Sequence, residues 1–256
     1  MDGVWHDSFY WKIRESMVNE SPDLDVLKDV IDGRRQGYKN ITDLVNYNSN
    51  HDHDRLLVDL GKELQLFDED AFRRVRMSFA IQATSFGLMM IWMGSEIGEY
   101  KEKTPGVAKL DWSLIEDRED NSNANNKQQL QYYKNVIHLR KSNLALTSPN
   151  LEFIFENTDD LILAWHRWNP PIHDPHKQGD HVVVVCNWSS TTYETYEIPN
   201  IPRNGHWYEW LNDNKKYTVE HNILNIDNFI EHTVRIFIYE VKKQIEEGEE
   251  HVNNEH

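Results

Sequence analysis

Cysteine is nearly absent from this sequence. Cys186 is the only one among 256 residues, which excludes an intramolecular disulfide and a zinc site built on cysteines. Because Cys186 lies within an apolar run, we expect it to be an inert core residue. Basic residues are also few, since 27 Lys and Arg stand against 43 Asp and Glu. The formal net charge of -16 disfavours binding to a nucleic-acid backbone.

Long apolar segments are missing as well. The longest apolar run, residues 88–93, is far shorter than the ~20 residues that a membrane-spanning helix needs. Residues 1–7 have neither the basic region nor the apolar region of a signal peptide. These absences predict a cytoplasmic protein without a membrane partner.

Aromatic residues, in contrast, are abundant. The chain has 9 Trp, 11 Tyr and 9 Phe within a hydrophobic fraction of 39%, which predicts a folded core and not a disordered chain. At roughly 150 residues per domain, the length fits one large domain or two modest ones. The sequence pattern changes near Pro149, which suggests two parts.

The first part, residues 1–147, alternates helical patterns with short apolar runs. Trp5, Phe9 and Ile13 are spaced by four and predict one face of a helix. A short strand is predicted over 41–48, a helix from the acidic residues 68–70 to Gly87, and a strand over 88–93 that is buried on both faces. A further helix is indicated over 130–144. The order helix, strand, helix, strand, helix predicts an α/β fold.

The second part, residues 148–243, consists of β-type runs separated by turn residues. The runs cover 151–156, 161–168, 181–188, 191–198, 206–211, 215–220 and 230–240, a spacing that predicts an antiparallel β-sandwich. Its tryptophans could be sugar platforms, although the alternation of the strands favours core packing; they are Trp165, Trp168, Trp188, Trp207 and Trp210. The loop 170–179 carries His173, Asp174, His176 and Lys177, and a solvated hairpin is preferred there over a metal or partner site. Residues 244–256 are expected to be a disordered acidic tail.

The predicted strand 41–48 runs into a polar cluster, residues 49–55, which contains the six residues Asn50-His51-Asp52-His53-Asp54-Arg55. The loops after parallel strands carry the functional groups of β/α folds, although such residues also occur in ordinary surface loops. Two functional interpretations remain open. The loop could bind a metal through His51, Asp52, His53 and Asp54, or a carboxylate could accept hydrogen bonds from sugar hydroxyls and stabilise charge at the anomeric carbon.

A second polar segment follows the predicted strand 88–93. Gly94 and Gly98 flank Glu96 and permit unusual backbone geometry. Glu96 is therefore expected to accept hydrogen bonds from backbone N–H groups, or to stand at the rim of a pocket.

Three segments of the chain resemble a known family. Residues 46–52 (Asn-Tyr-Asn-Ser-Asn-His-Asp), 92–99 (Trp-Met-Gly-Ser-Glu-Ile-Gly-Glu) and 110–112 (Leu-Asp-Trp) are similar, in order and spacing, to the late-barrel motifs of the α-amylase superfamily, glycoside hydrolase family thirteen. The nearest similarity is to 1,4-α-glucan branching enzymes and trehalose-forming relatives. The resemblance covers nearly all of residues 1–243 and implies the C-terminal portion of a (β/α)8 TIM barrel followed by the β-sandwich.

The resemblance also implies roles for particular residues. Asp52 matches the catalytic carboxylate that stabilises the transition state, and His51 and Asn50 match its substrate-binding neighbours. Trp5 and His6 fall in a segment similar to one that lines the glucan cleft. The implied partner is an α-1,4-glucan, and the implied reaction is branching in glycogen biosynthesis, without an organic cofactor or a metal.

This sequence departs from the family in one respect. The nucleophile and the acid/base of the retaining mechanism lie on earlier barrel strands, and this sequence has no Gly-Phe-Arg-x-Asp-type segment. We therefore expect a C-terminal fragment, or one part of a split enzyme whose partner is the N-terminal half, and expect the isolated chain to be inactive. Two alternatives remain: a noncatalytic glucan-binding or complementing subunit, and a metal-dependent hydrolase that uses residues 51–54.

Overall fold

The computed structural model describes residues 3–19, 21–104, 109–170 and 180–240. The loop 171–179 and the tail 244–256, for which the sequence makes predictions, lie outside the described residues. Within the described ranges, no helix is long and apolar enough to cross a bilayer.

The first part of the fold is built on a three-stranded parallel sheet. Its strands lie in the order β1-β2-β3, with Val4 paired to Leu44 and Val45 paired to Leu88. The strands are β1 (Val4–Trp5), β2 (Leu44–Asn46) and β3 (Leu88–Met89), and the helices are α1 (Asp7–Val18), α2 (Leu24–Ile31), α3 (Leu56–Leu64), α4 (Glu69–Thr84) and α5 (Ala124–Ser142). Each strand leads into one or more helices, as the α/β prediction requires. Three strands do not close a barrel, so the barrel itself stays a prediction.

Helix α4 confirms the helix predicted from residues 68–70 onward, and its first turn shows the reason. The Asp68 side chain accepts a hydrogen bond from the backbone N–H of Asp70 at 3.1 Å and so caps the first turn. Every residue from Val75 to Thr84 is buried, because the helix lies between the parallel sheet, α5 and the β-domain. Helices α2 and α3 were not predicted.

Two predictions about the parallel sheet are wrong. Trp5 does not lie on a helix face, because it belongs to β1 and α1 begins only at Asp7. Trp5 is also 47% exposed. The run 88–93 is not a strand buried on both faces, since only Leu88 and Met89 pair and Leu88 is 42% exposed. In the described part of the chain β3 pairs with β2 alone, so its other edge is uncovered.

The second part is antiparallel, as predicted. A six-stranded sheet in the order β4-β5-β6-β11-β8-β9 shares a core with the two-stranded sheet β10-β7. The strands are β4 (Leu151–Asn157), β5 (Ile162–Trp168), β6 (His181–Asn187), β7 (Tyr193–Ile198), β8 (Gly205–Glu209), β9 (Lys215–Val219), β10 (Leu224–Phe229) and β11 (Thr233–Tyr239). Strand β10 was not predicted.

Strand β6 joins the two parts, because its two faces pack against different cores. All seven of its residues are buried. Val183 and Val185 point into the sandwich core, whereas Val182, Val184 and Cys186 pack against the helical part. Burial raises the pKa of the Cys186 thiol, as expected for an inert core cysteine.

The tryptophans of the β-domain pack mainly into the core, which is the interpretation that the sequence favoured. Trp165, Trp188 and Trp207 are fully buried, and Trp168 and Trp210 are partly buried. The Trp168 ring stacks on His166 with 4.7 Å between centroids.

Candidate functional site

The carboxyl ends of the three parallel strands meet at one edge of the sheet. The Oγ atoms of Ser49 and Ser95, on the loops after β2 and β3, are 3.2 Å apart. The rings of Trp5 and His51, at the end of β1 and on the loop after β2, have centroids 5.4 Å apart. The structure therefore brings the predicted residues of three separate segments to one place. We call this place the Asp52 edge, defined by Trp5, residues 47–55 and residues 92–99.

Asp52 lies exposed on the loop after β2. Its side chain is 66% exposed, and its Oδ2 atom is 3.3 Å from Nε2 of His51, whose side chain is 57% exposed. The ammonium group of Lys103 is 3.7 Å from the other carboxylate oxygen. Both partners are themselves about half exposed, so they leave the carboxylate accessible to a ligand.

Two indole rings accompany His51. Trp5 contacts its ring edge-on, and Trp92 lies on the next loop with its ring centroid 6.3 Å from that of His51. Trp92 lies within the motif 92–99, but the sequence alone assigns it no role. Its position just after the pairing residues of β3 is the signal that could have identified it.

Asn50 is buried and holds the shape of the loop. Its Oδ1 atom accepts hydrogen bonds from the backbone N–H groups of Asp52 at 2.7 Å and His53 at 3.0 Å. This side chain is 3% exposed, so its geometry is that of a positioning residue and not of a surface contact.

His6 lies beneath the edge and is 2% exposed. Its Nδ1 atom donates to Oδ1 of Asn46 at 2.7 Å, because the Asn46 amide itself donates to the Phe86 carbonyl. Its Nε2 atom is 3.0 Å from Oε1 of Gln36. Burial lowers the pKa of His6, although the hydrogen bonds to Asn46 and Gln36 and the charge of Asp7 raise it. His6 is placed to hold β1 against β2, away from a ligand at the surface.

A row of aromatic rings extends from Trp5 along the first helix. Trp5 contacts Tyr47 at 5.8 Å, Tyr47 stacks on Tyr10 at 5.7 Å, and Tyr10 stacks on His53 at 4.2 Å between centroids. Burial raises the pKa of Tyr10 to about 12, so its hydroxyl stays protonated. Sequence reasoning missed this row, because Tyr10 and Tyr47 come from segments 37 residues apart.

The four side chains of the metal alternative do not converge. His51 faces Asp52, His53 packs on Tyr10, and Asp54 accepts from the Lys103 backbone N–H at 2.6 Å and from the Lys62 ammonium at 3.0 Å. Burial raises the pKa of Asp54, but these two partners outweigh it and hold the pKa below its ordinary value. Among the residues that the structure describes, no group of three or more His, Cys, Asp or Glu could hold a metal ion.

The Gly94–Gly98 turn is tied to the loop after β2. Gly94 and Gly98 have φ of 91° and 65°, and Glu96 accepts a hydrogen bond from the Gly94 N–H at 2.8 Å. The Arg55 guanidinium donates to the Met93 carbonyl at 2.7 Å. Glu96 thus has the geometry of the structural acceptor, the first of the two roles expected for it.

Comparisons with known proteins agree with this architecture. Residues 153–236 match the family described as alpha amylase, C-terminal all-beta domain. Over 154 residues the chain is 29% identical to the 1,4-alpha-glucan branching enzyme GlgB of Bacillus mycoides (strain KBAB4), a match that covers 58% of this chain and 22% of that enzyme. The chain thus spans about a fifth of the length of this relative.

Solved structures show the same fold over nearly the whole chain. An AmyP structure in complex with maltotriose covers 95% of this chain with a TM-score of 0.72 and 15% identity, over 51% of its own length. The alpha-amylase of Geobacillus thermoleovorans in complex with acarbose covers 95% with a TM-score of 0.69 and 16% identity, over 49% of its own length. At these identities the likeness concerns the fold alone.

Proposed function

We propose, from the premise that this chain is related to the α-amylase superfamily, that the Asp52 edge is part of an active site for α-1,4-linked glucan. The observation that carries the proposal is the position of Asp52. It stands beside His51 on the loop after a parallel strand, where β/α folds gather their catalytic groups.

In this proposal the exposed and partly exposed side chains of the edge bind the sugar. Asp52 accepts hydrogen bonds from the hydroxyls of a distorted glucosyl residue and stabilises the positive charge that develops at its anomeric carbon. His51 donates to the same hydroxyls, and Trp5 and Trp92 offer their faces to pyranose C–H groups.

The buried residues support this surface. Asn50 fixes the backbone of Asp52 through its amide oxygen, and His6 holds β1 against β2. Glu96 fixes the turn that carries Trp92 and Met93. We therefore assign His6, Asn50 and Glu96 positioning roles and not sugar contacts.

Among the reactions of α-glucans, we propose branching. A segment is transferred through a covalent glycosyl-enzyme to a 6-hydroxyl, which makes an α-1,6 branch. The branching enzymes among the sequence relatives support this choice. A retaining mechanism needs a nucleophile and an acid/base about 5–5.5 Å apart, and we assign neither role to a residue of this chain.

The test is a hybrid enzyme in which this whole chain replaces the corresponding part of the Bacillus mycoides branching enzyme. On amylose, branching lowers the iodine absorbance without new reducing ends, whereas hydrolysis creates them. Asp52→Asn in this hybrid should lower turnover by about a hundredfold or more with an unchanged melting temperature. An Asp52→Asn hybrid as active as its parent would contradict the assigned role.

A second candidate function is a noncatalytic glucan-binding or complementing subunit. The observation that favours it is the uncovered sheet: within the described residues, β1 and β3 each pair on one side only, and Trp5, Leu88 and Met93 are exposed nearby. A partner that carries further strands would cover these edges. Retardation of the isolated chain in a glycogen-containing native gel, without any change in iodine staining of amylose, would favour this candidate.

A further inference from the structure

A second concave surface lies beside α3, apart from the exposed carboxylate of Asp52. It is a groove of about 490 Å³, within the range of ligand pockets in proteins. Its lining includes the apolar residues Leu57, Leu66 and Phe72 and the polar residues Lys62, Glu102 and Asn125.

Two aromatic rings stand exposed in this groove. Phe67 is 76% exposed and Tyr100 is 61% exposed, although burial would stabilise both rings. The left-handed conformation of Gln65, with φ of 56°, ends α3, and the Leu66 N–H then donates to the Leu60 carbonyl at 3.3 Å. The chain reverses there and lays Phe67 back over the helix.

Gly61 makes this position of the Phe67 ring possible. A Cβ atom on Gly61 would lie 2.7 Å from Cε1 of Phe67, closer than a real contact allows. The ring is therefore held against the helix on one side while most of its surface stays in solvent. This is the arrangement of a stacking platform.

The charged side chains on the rim of the groove are ion-paired. The Lys62 ammonium is 3.2 Å from a carboxylate oxygen of Glu102 and 3.0 Å from one of Asp54. One ammonium between two carboxylates leaves an excess of negative charge, which disfavours an anionic ligand. The paired groups and the amide of Asn125 offer hydrogen bonds that suit a neutral polyhydroxylated ligand.

The groove adjoins the Asp52 edge. Lys62 on its rim contacts Asp54, which is two residues from Asp52. Glu102 lines both the groove and a smaller cavity of about 80 Å³ that reaches His53 and Trp92. A single extended chain could therefore contact both places.

We propose that the groove defined by Phe67 and Tyr100 is a second glucan-binding subsite, which holds further glucosyl residues of the same α-1,4-glucan chain that reaches Asp52. This inference rests on the proposed function. The two rings stack on pyranose faces, and Asn125 and the ion-paired rim bond to the hydroxyls.

The test is a titration of the purified full chain with maltohexaose by calorimetry. Phe67→Ala and Tyr100→Ala should each weaken binding about tenfold, the loss expected for truncating an anchoring ring. Phe67→Trp should bind as tightly as the parent chain. Trp112→Ala is the matched control, because Trp112 is 59% exposed and is not among the residues that line the groove, so its loss should leave binding unchanged.

Trp5→Ala separates this inference from the proposed function. If Trp5→Ala loses binding while Phe67→Ala and Tyr100→Ala keep it, the groove subsite is overturned and the Asp52 edge stands. If the parent chain does not bind maltohexaose, the groove subsite is also overturned, and the amylose assay of the hybrid enzyme decides on the proposed function separately.

Discussion

At the scale of single residues, a partly buried chain of hydrogen bonds in the β-domain determines which ring nitrogens of two histidines carry protons. Nε of Arg203 donates to Nε2 of His181 at 3.0 Å, so the proton of the His181 imidazole is on Nδ1. That Nδ1 donates to Nε2 of His166 at 2.9 Å, and Nδ1 of His166 donates to Glu152 at 3.0 Å. Each ring is neutral in this arrangement.

This arrangement predicts a loss of stability in mild acid. Burial, then the charge of Arg203, lower the pKa of His181 from 6.5 to about 4, and burial also lowers the pKa of His166. Between these values the unfolded chain binds more protons, so the free energy of unfolding falls as the pH falls from about 6.5 toward 4. Urea unfolding at pH 7 and pH 5 should show a smaller acid loss for His181→Gln than for the parent.

The control for this measurement is His221→Asn, at an exposed turn with φ of 52° that Asn tolerates. It should lose as much stability between pH 7 and pH 5 as the parent does. An equal loss in His181→Gln would refute the role given to the buried pair.

The sequence could predict only some of the candidate site residues. Asp52, His51 and the two glycines stood out because they lie in short motifs directly after apolar runs. The burial of His6 and Asn50 could not be predicted, because a polar residue after a strand looks the same whether it faces solvent or bonds inward. His6 points inward because it bonds to Asn46, which is 40 residues away in the sequence.

At the scale of elements, the Gly94–Gly98 turn gives a sharp prediction about backbone and packing. A Cβ atom on Gly98 would lie 2.6 Å from Cε1 of Phe72, and its φ of 65° strains any other residue. Gly37 has φ of 91° and no atom within 4 Å of such a Cβ atom, so it isolates the backbone cost. Gly98→Ala should therefore destabilise the protein by about 1–3 kcal/mol more than Gly37→Ala.

Urea unfolding of the two alanine variants measures this difference directly. The Gly37→Ala change should cost about 1 kcal/mol, the ordinary cost of a left-handed conformation. Equal unfolding free energies for both variants would mean that Phe72 moves aside without cost.

Elements with strong local patterns were predictable, and elements that depend on distant partners were not. The capped, periodic helix α4 and most strands of the β-domain fall into the first group. Strand β10 falls into the second, because it contains Asn225, Asp227 and Asn228 and is stabilised by pairing with β7. The run 88–93 was misjudged for the same reason, since its burial depends on neighbouring strands.

At the scale of the whole molecule, Arg167 connects the helical part to the β-domain. Its guanidinium is fully buried and donates to five backbone carbonyls. They belong to Thr84, Ser85, Leu146, Ser148 and Asn150, at distances from 2.6 to 3.2 Å. Burial lowers the pKa of Arg167 to about 9, so the side chain remains a cation at neutral pH and can keep all five bonds.

Arg167→Met should therefore weaken the molecule as a unit. The substitution leaves several buried carbonyls unpaired, each at a cost of about 1–3 kcal/mol, so the loss should be about 3 kcal/mol or more. Lys28→Met is the matched control, because Lys28 also spans the two parts but does so through an ion pair with Glu156 near the surface. That change should cost about 1 kcal/mol or less.

The same variants test whether the two parts unfold together. Strand β6 contributes side chains to the cores of both parts, and Arg167 bonds to both, so the parent should unfold in one transition. Helix content by circular dichroism and tryptophan fluorescence should then change at the same urea concentration. Arg167→Met should separate the two curves, because the remaining contacts no longer couple the end of α4 to β5. Coincident curves and a loss no larger than that of Lys28→Met would show that apolar packing alone unites the molecule.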